Sequence, residues 1–201
     1  LDNALKIKEL YLREGNLKPD IQCDKVYSIT KNIFDKLCET QNSQGIMAVT
    51  GFIVHSAKIL KQNLRYVLLD RLQDPGNIGA IIRSAAAFGI EGIIINTGCV
   101  DPYSPKAVRS AMGALEKVKI IKIKEIQEII EYNLIAADKA GRDIDSYKWP
   151  KGFILAIGNE ANGLSQEVAA AASETVSIPI SGSIESLNAA VSCGILLFSS
   201  R

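Results

Sequence analysis

The sequence is poor in the residues that build metal centres and disulfide frameworks. It has one histidine, His55, and four cysteines, Cys23, Cys38, Cys99 and Cys193, with no C-x-x-C spacing among them. A zinc site or a cystine scaffold is excluded as an organising feature, no metal is expected, and a reducing cytoplasm is the expected compartment. No apolar run reaches the roughly 20 residues that a membrane-spanning helix needs, and no signal peptide opens the chain. Charge of either sign is also lacking in excess: 23 Lys and Arg stand against 22 Asp and Glu, so the chain as a whole carries no polyanion signature. Neither G-x-G-x-x-G nor a Walker pattern follows a strand, which disfavours a dinucleotide or P-loop enzyme. Repeats and low-complexity tracts are absent.

What is present falls into two parts. Up to residue 66 the chain carries ten Lys and Arg against seven Asp and Glu; beyond it, thirteen against fifteen. The front part alternates apolar and charged residues over 5–12 from Leu5, the period of a half-buried strand. A second strand is expected over 26–29. Thr30 then caps a helix carrying Ile33, Phe34 and Leu37, and a strand follows over 47–54. This β-β-α-β segment is too small to close a core, and because the chain opens in mid-pattern at Leu1, more chain is expected before it. Residues 58–65 read as a polar linker.

From Tyr66 the rhythm is regular. Strands are expected over 66–70, 92–96, 118–123, 134–137, 153–157 and 176–178. The helices between them are expected over 78–88, from Ser104-Pro105 to about 115, through 132, and over 164–172. Such alternation specifies an α/β fold, a mostly parallel sheet sandwiched by helices. The last helix, expected over 187–198 with Ser186 as its cap, has apolar residues at Leu187, Val191, Ile195 and Phe198 and few polar ones anywhere. A helix so apolar all round is covered by its own domain, a second subunit, or both.

Three segments lie just after strands, where open α/β sheets bind ligands. The first contains Asp74-Pro75-Gly76, then Asn77 placed to cap a helix, with Arg83 off the apolar stripe of Ile78, Ile81, Ile82 and Ala85. The second is the turn Gly158-Asn159-Glu160-Ala161-Asn162-Gly163-Leu164. The third runs from Ile178-Pro179 to Ser186-Leu187-Asn188. Each alone has a plain structural alternative: a capped helix with a solvent-facing arginine, a tight turn with a surface carboxylate, a polar loop.

In this order and spacing the three segments resemble the motifs of the SpoU/TrmH-type RNA ribose 2′-O-methyltransferases of the SPOUT class. The resemblance covers residues 66–200, and the front segment looks like part of that family's small RNA-binding domain. It implies a partial RNA-binding domain over 1–60 and a methyltransferase domain over 64–201 whose C-terminal part is threaded into a trefoil knot. It implies S-adenosylmethionine as cofactor, held by loops near Ala137-Asp138, at Gly158, and from Ile178 to Leu187. It implies ribosomal or transfer RNA as substrate and a homodimer with the last helix near its interface. By position Asn77, Arg83, Glu160, Ser186 and Asn188 form the catalytic set. A side chain at Gly158 is expected to block the cofactor and spare the fold. The competing reading is a non-catalytic RNA-binding protein that keeps the scaffold.

Overall fold

The computed structural model describes residues 6–38, 40, 42–182 and 185–201. The chain divides into two compact units, Leu1–Ile53 and Val54–Arg201. In the smaller, a sheet of order β2-β1-β3 is built from β1 (Ile7–Arg13), β2 (Lys25–Ile29) and β3 (Ile46–Thr50), with α1 (Lys31–Leu37) between the last two. Strand β1 runs parallel to β2 and antiparallel to β3. Leu10 and Leu12 point inward at period two, Phe34 of α1 is fully buried, and Tyr11 stacks on Tyr27 at 5.0 Å. Leu5, expected to begin the first strand, lies outside the described residues.

The larger unit holds a seven-stranded sheet of order β10-β8-β9-β5-β6-β7-β4, with every adjacent pair parallel. Its strands are β4 (Val54–His55), β5 (Arg65–Leu69), β6 (Gly92–Ile95), β7 (Lys119–Lys122), β8 (Leu134–Asp143), β9 (Phe153–Ile157) and β10 (Glu174–Ser177). The central strands β5, β6 and β9 are apolar almost without break because both faces are covered. Val67, Leu69, Ile93, Leu155 and Ile157 face α2 (Pro75–Ala87), α3 (Pro105–Ala111) and α5 (Ala189–Ser199). Tyr66, Leu68, Ile94, Ile154 and Ala156 face the other side, with Val168 of α4 (Gln166–Ala171) and Ile126 and Ile129 of a short 3-10 turn. The strand expected over 47–54 is split: Ile46–Thr50 stays in the smaller unit and Val54–His55 pairs with β7 in the larger. Among the described residues no helix is long and apolar enough to cross a membrane.

Several elements depart from the expected bounds for identifiable reasons. The helix that starts at Pro105 stops at Ala111, because Met112 and Gly113 both take left-handed conformations. The helix expected to run through 132 is only the 3-10 turn Ile126–Ile129, closed by a capping box between Glu125 and Glu128. Strand β8 is longer than expected and interrupted. Ala136 pairs with Thr175 and Arg142 with the next residue, Val176, so residues 137–141 bulge out of the ladder.

Thr30 and Ser104 stand at the N-cap positions of their helices as expected, whereas the caps expected at Asn77 and Ser186 are displaced by three and two residues. Helix α2 starts at Pro75 with Asp74 as N-cap, its carboxylate accepting from Gly76 N at 3.0 Å, so Asn77 lies inside the first turn. Pro at the first helical position is pre-set for this start and has no N–H to orphan. Helix α5 starts at Ala189 with Asn188, not Ser186, as N-cap. Lys106, 2.9 Å from Asp74, and the Gly76 N–H hold the Asp74 carboxyl below its ordinary range. Replacing Asp74 by alanine is expected to lower stability by about 1 kcal/mol, the usual scale for a lost cap. A carboxyl with a lowered folded pKa stabilises above its unfolded value of about 4 and stops doing so as pH falls through the folded one. Urea melts of both proteins should therefore differ at pH 7 and converge as the pH drops below about 4.

Candidate active site

Asn77, Glu160 and Asn188 come from three separate parts of the chain and meet at the carboxyl edge of the sheet. Asn188 caps α5, its side-chain oxygen accepting from Ala190 N at 2.9 Å and Val191 N at 3.2 Å. That fixes the orientation of the amide, because the oxygen must face the two donors. Its Nδ2 is left to donate, and it does so to Asn77 Oδ1 at 2.9 Å. The buried Asn77 must then turn its own Nδ2 the other way, and it donates to Glu160 Oε1 at 2.8 Å. The helix start thus sets the direction of a polar relay that ends on a carboxylate. Such a relay is worth more than its separate bonds, since each member removes the other's freedom to flip.

A cleft of about 570 Å³ borders this relay and is walled by three loops, through residues 137–139, residues 157–163, and residues 176–178, 180 and 185–189. The first is the bulge in β8. The second is a turn in which Asn159 and Gly163 exchange backbone hydrogen bonds at 2.9 Å. Asn159 also fills this turn with its side chain, accepting from Ala161 N and Asn162 N and donating to Arg71 O at 2.9 Å. Gly158, Glu160, Ile178, Ser186, Leu187 and Asn188 all line the cleft. Polar residues such as Asp138, Asn162 and Ser192 line it beside the apolar Ile178, Ile180, Leu187 and Leu196. That combination and volume suit a drug-sized ligand with polar ends. Of the loop from 181 to 186, Ser183 and Ile184 lie outside the described residues.

Arg83 is elsewhere. It sits on the exposed side of α2, six residues beyond Asn77, which on an α-helix is about 9 Å along the axis and roughly 120° around it. No hydrogen bond between described residues joins it to Asn77, Glu160, Ser186 or Asn188. The site in one chain therefore unites four of the five expected catalytic residues around the cleft or its relay and leaves the arginine on a neighbouring surface.

Three residues to which pattern reading gave no role, Asp70, Asn96 and Asn159, are central to the geometry. Asp70 is fully buried, accepts from Asn96 Nδ2 at 2.6 Å and from Ser165 N at 2.5 Å, and so ties the ends of β5 and β6 to the start of α4. Asn159 holds the 158–163 turn. The available signal was position: Asp70 and Asn96 each stand immediately after an apolar strand, where a polar residue has no reason to be unless the sheet edge needs it.

Gly158 answers a different need from the one expected. A Cβ there would stand 2.3 Å from Gly163 C, 2.4 Å from Leu164 N and 2.6 Å from Gly163 O, all backbone atoms of its own turn. A side chain would therefore push the turn apart as well as enter the cleft, and the expectation of a fold left intact is overturned. Gly158→Ala should lower the melting temperature and weaken ligand binding together. Normal stability with lost binding, read by calorimetry and a thermal melt, would mean that the turn can yield.

Comparison with known proteins supplies the context. The sequence pattern of the SpoU rRNA Methylase family matches residues 64–198. An uncharacterized tRNA/rRNA methyltransferase of Synechocystis sp. is 31% identical over 182 residues, 87% of this chain and 66% of that one. The 23S rRNA (uridine(2479)-2′-O)-methyltransferase of Streptomyces viridochromogenes is 35% identical over 151 residues, 69% of this chain and 53% of its own length. The chain thus spans about two thirds of one of these relatives and about half of the other. Among solved structures, the SpoU methyltransferase AviRb of Streptomyces viridochromogenes in complex with AdoMet superposes with a TM-score of 0.88 at 26% identity, covering 99% of this chain and 83% of that one.

Proposed function

We infer the function from a plain premise: the chain belongs to the SpoU rRNA Methylase family. It is an S-adenosylmethionine-dependent methyltransferase acting on a ribose 2′-hydroxyl of ribosomal or transfer RNA. The observation that carries the reading is the relay from Asn188 through Asn77 to Glu160, set on the wall of a cleft of cofactor size. A scaffold that had lost catalysis would have no use for an oriented carboxylate there. This favours an enzyme over a non-catalytic RNA-binding protein.

The backbone of the loops at 137–139, 157–163 and 176–189 would hold S-adenosylmethionine, with Gly158, Ile178 and Leu187 in contact. When bound, that group supplies a methyl activated by its sulfonium. A ribose hydroxyl is a weak nucleophile unless its proton is drawn off as it attacks. Glu160, Asn77, Asn188 and Ser186 position the ribose and the turn beside it. A guanidinium offers donors and no acceptor, so Arg83 is not the base. It grips the adjacent RNA phosphate and stabilises the developing alkoxide, and that phosphate takes the proton.

The cleft wall beyond β10 is threaded as a trefoil knot, a rare exception to unknotted topology. The chain path supports this: β10 lies at the far edge beyond β8, yet the helix that follows it, α5, returns to pack on α2 beside the centre of the sheet. The protein is a homodimer. Helix α5 has two apolar faces: Ala189, Cys193, Leu196 and Leu197 are buried, while Val191, Ile195 and Phe198 stay exposed, the last at 55%. Three of the four apolar residues that mark this helix in the sequence are thus turned away from the core, where a second copy would cover them and bring Arg83 of α2 near an interface. The smaller unit binds RNA, and the protein works in the cytoplasm, where its substrate is.

Arg83→Ala should lower single-turnover methylation of RNA by about two orders of magnitude or more, the scale for one preorganised charge-stabilising donor. S-adenosylmethionine affinity and stability should hardly change. Arg83→Lys should recover little, because a point charge lacks the planar fork. Near-normal turnover by the alanine variant would remove Arg83 from the mechanism. In light scattering at micromolar concentration the protein should have twice the chain mass, and Phe198→Glu should halve it; a monomeric parent would remove the reading of α5.

A further inference from the structure

The 158–165 segment borders two cavities. Its first six residues line the cofactor cleft; Leu164 and Ser165 line a second cavity of about 550 Å³ at the carboxyl ends of β5, β6 and β7. Methyl transfer as described makes no use of this second space.

Its charged groups are organised. The buried Asp70 spends its carboxylate inward, on Asn96 and Ser165 N, and lies 3.4 Å from Nε of Arg71. Arg71 is held in the left-handed region at φ 56°, a strain that bulky residues avoid unless the surroundings impose it. Its stem lies along Gly98, where an added Cβ would come within 3.1 Å of Arg71 Cγ. Carboxylate, strain and missing Cβ together fix the guanidinium at the cavity, with 43% of the side chain still exposed for contacts beyond Asp70. Lys124, two residues beyond the end of β7, adds a second cation. Ile123, Ile126 and Leu164 add apolar surface, and Glu167 adds a carboxylate. A bare anion suits this lining poorly, because Glu167 opposes it. A molecule with a phosphate at one end and a flat, hydrogen-bond-donating base at the other suits it well.

We propose that this cavity holds a second nucleotide of the substrate RNA, a neighbour of the one methylated, with its phosphate on Arg71 and Lys124 and its base against Ile123, Ile126 and Leu164. Glu167 accepts from the donor edge of that base. The proposal rests on the RNA methyltransferase reading. The turn between the cavities makes the arrangement coherent, since one strand of RNA crossing the carboxyl edge of the sheet passes both.

The test has two arms. In the first, isotope-labelled protein saturated with S-adenosylmethionine is titrated with guanosine 5′-monophosphate, and separately with inorganic phosphate and with guanosine, while amide shifts are followed. The nucleotide should move Arg71, Thr97, Lys124 and Gln166 saturably, about tenfold more tightly than either fragment, and Arg71→Gln should weaken it about tenfold, as loss of one charge-assisted contact does. In the second, methyl transfer to total RNA is measured for Arg71→Gln and Lys124→Gln. KM for RNA should rise about tenfold, kcat should stay within about twofold, and the salt dependence of KM should flatten by about one contact. Lys124→Gln leaves the Asp70 network untouched and keeps the test valid if Arg71→Gln folds poorly. Unmoved amides at the cavity, or an unchanged KM in both variants, overturns the proposal; nucleotide binding with an unchanged KM makes this a free-nucleotide site and overturns it as well. A parent protein that methylates no RNA would defeat the methyltransferase reading, while the titration would still judge the cavity.

Discussion

A buried amide at the start of α2 is the constraint on which the site depends. Asn77 can satisfy its oxygen and its nitrogen only by facing Asn188 on one side and Glu160 on the other, and an unsatisfied polar group there would cost about 1–3 kcal/mol. The first turn of α2, the 158–163 turn and the cap of α5 are therefore held in one arrangement. The carboxylate reaches the cleft with Oε1 already held by Asn77, which lowers the cost of ordering it there.

Asp70 does the same work one layer deeper. A side-chain carboxyl with no exposure is tolerable only when its oxygens are met, and Asn96 Nδ2 and Ser165 N donate to one oxygen each while the Arg71 guanidinium lies beside them as counter-charge. Through it the ends of β5 and β6 and the start of α4 are locked to each other. The segment shared by both cavities, 158–165, is thus fixed at each end, by Asn159 on Arg71 O and by Ser165 N on Asp70. The all-parallel sheet makes this possible, because it brings the carboxyl ends of five neighbouring strands, β5 to β9, to one edge where loops alone decide the chemistry.

Helix α5 shows how little composition says about direction. Its apolar residues cover the whole circumference, so periodicity offered no preferred face, and the sequence left open whether its own domain or a second subunit covers Val191, Ile195 and Phe198. Packing chose the face with Ala189 and Cys193 instead. Small side chains let α5 lie close against α2, and burial there pushes the Cys193 thiol up to about 12, well out of the range of a reactive cysteine.

Much was legible in the chain itself. Short apolar strands alternating with capped helices specify an α/β sheet buried on both faces, because no other arrangement hides strands apolar on both sides. The motif order carried the family, and Asn77, Glu160, Ser186 and Asn188 were each singled out by their place after a strand. What sequence could not carry was anything fixed by partners distant along the chain. Asn77 looked like a helix cap because an asparagine after Asp-Pro-Gly can be one; it is instead a link between residues 83 positions ahead and 111 positions ahead of it. Gly158 looked like room for a ligand and proved to be room for its own turn. The separation of Arg83 from the relay, the bulge in β8 and the burial of Asp70 likewise follow from which strands become neighbours, and that is decided only when the sheet assembles, since a hydrogen bond or a steric contact has no trace in sequence until both of its ends are brought together.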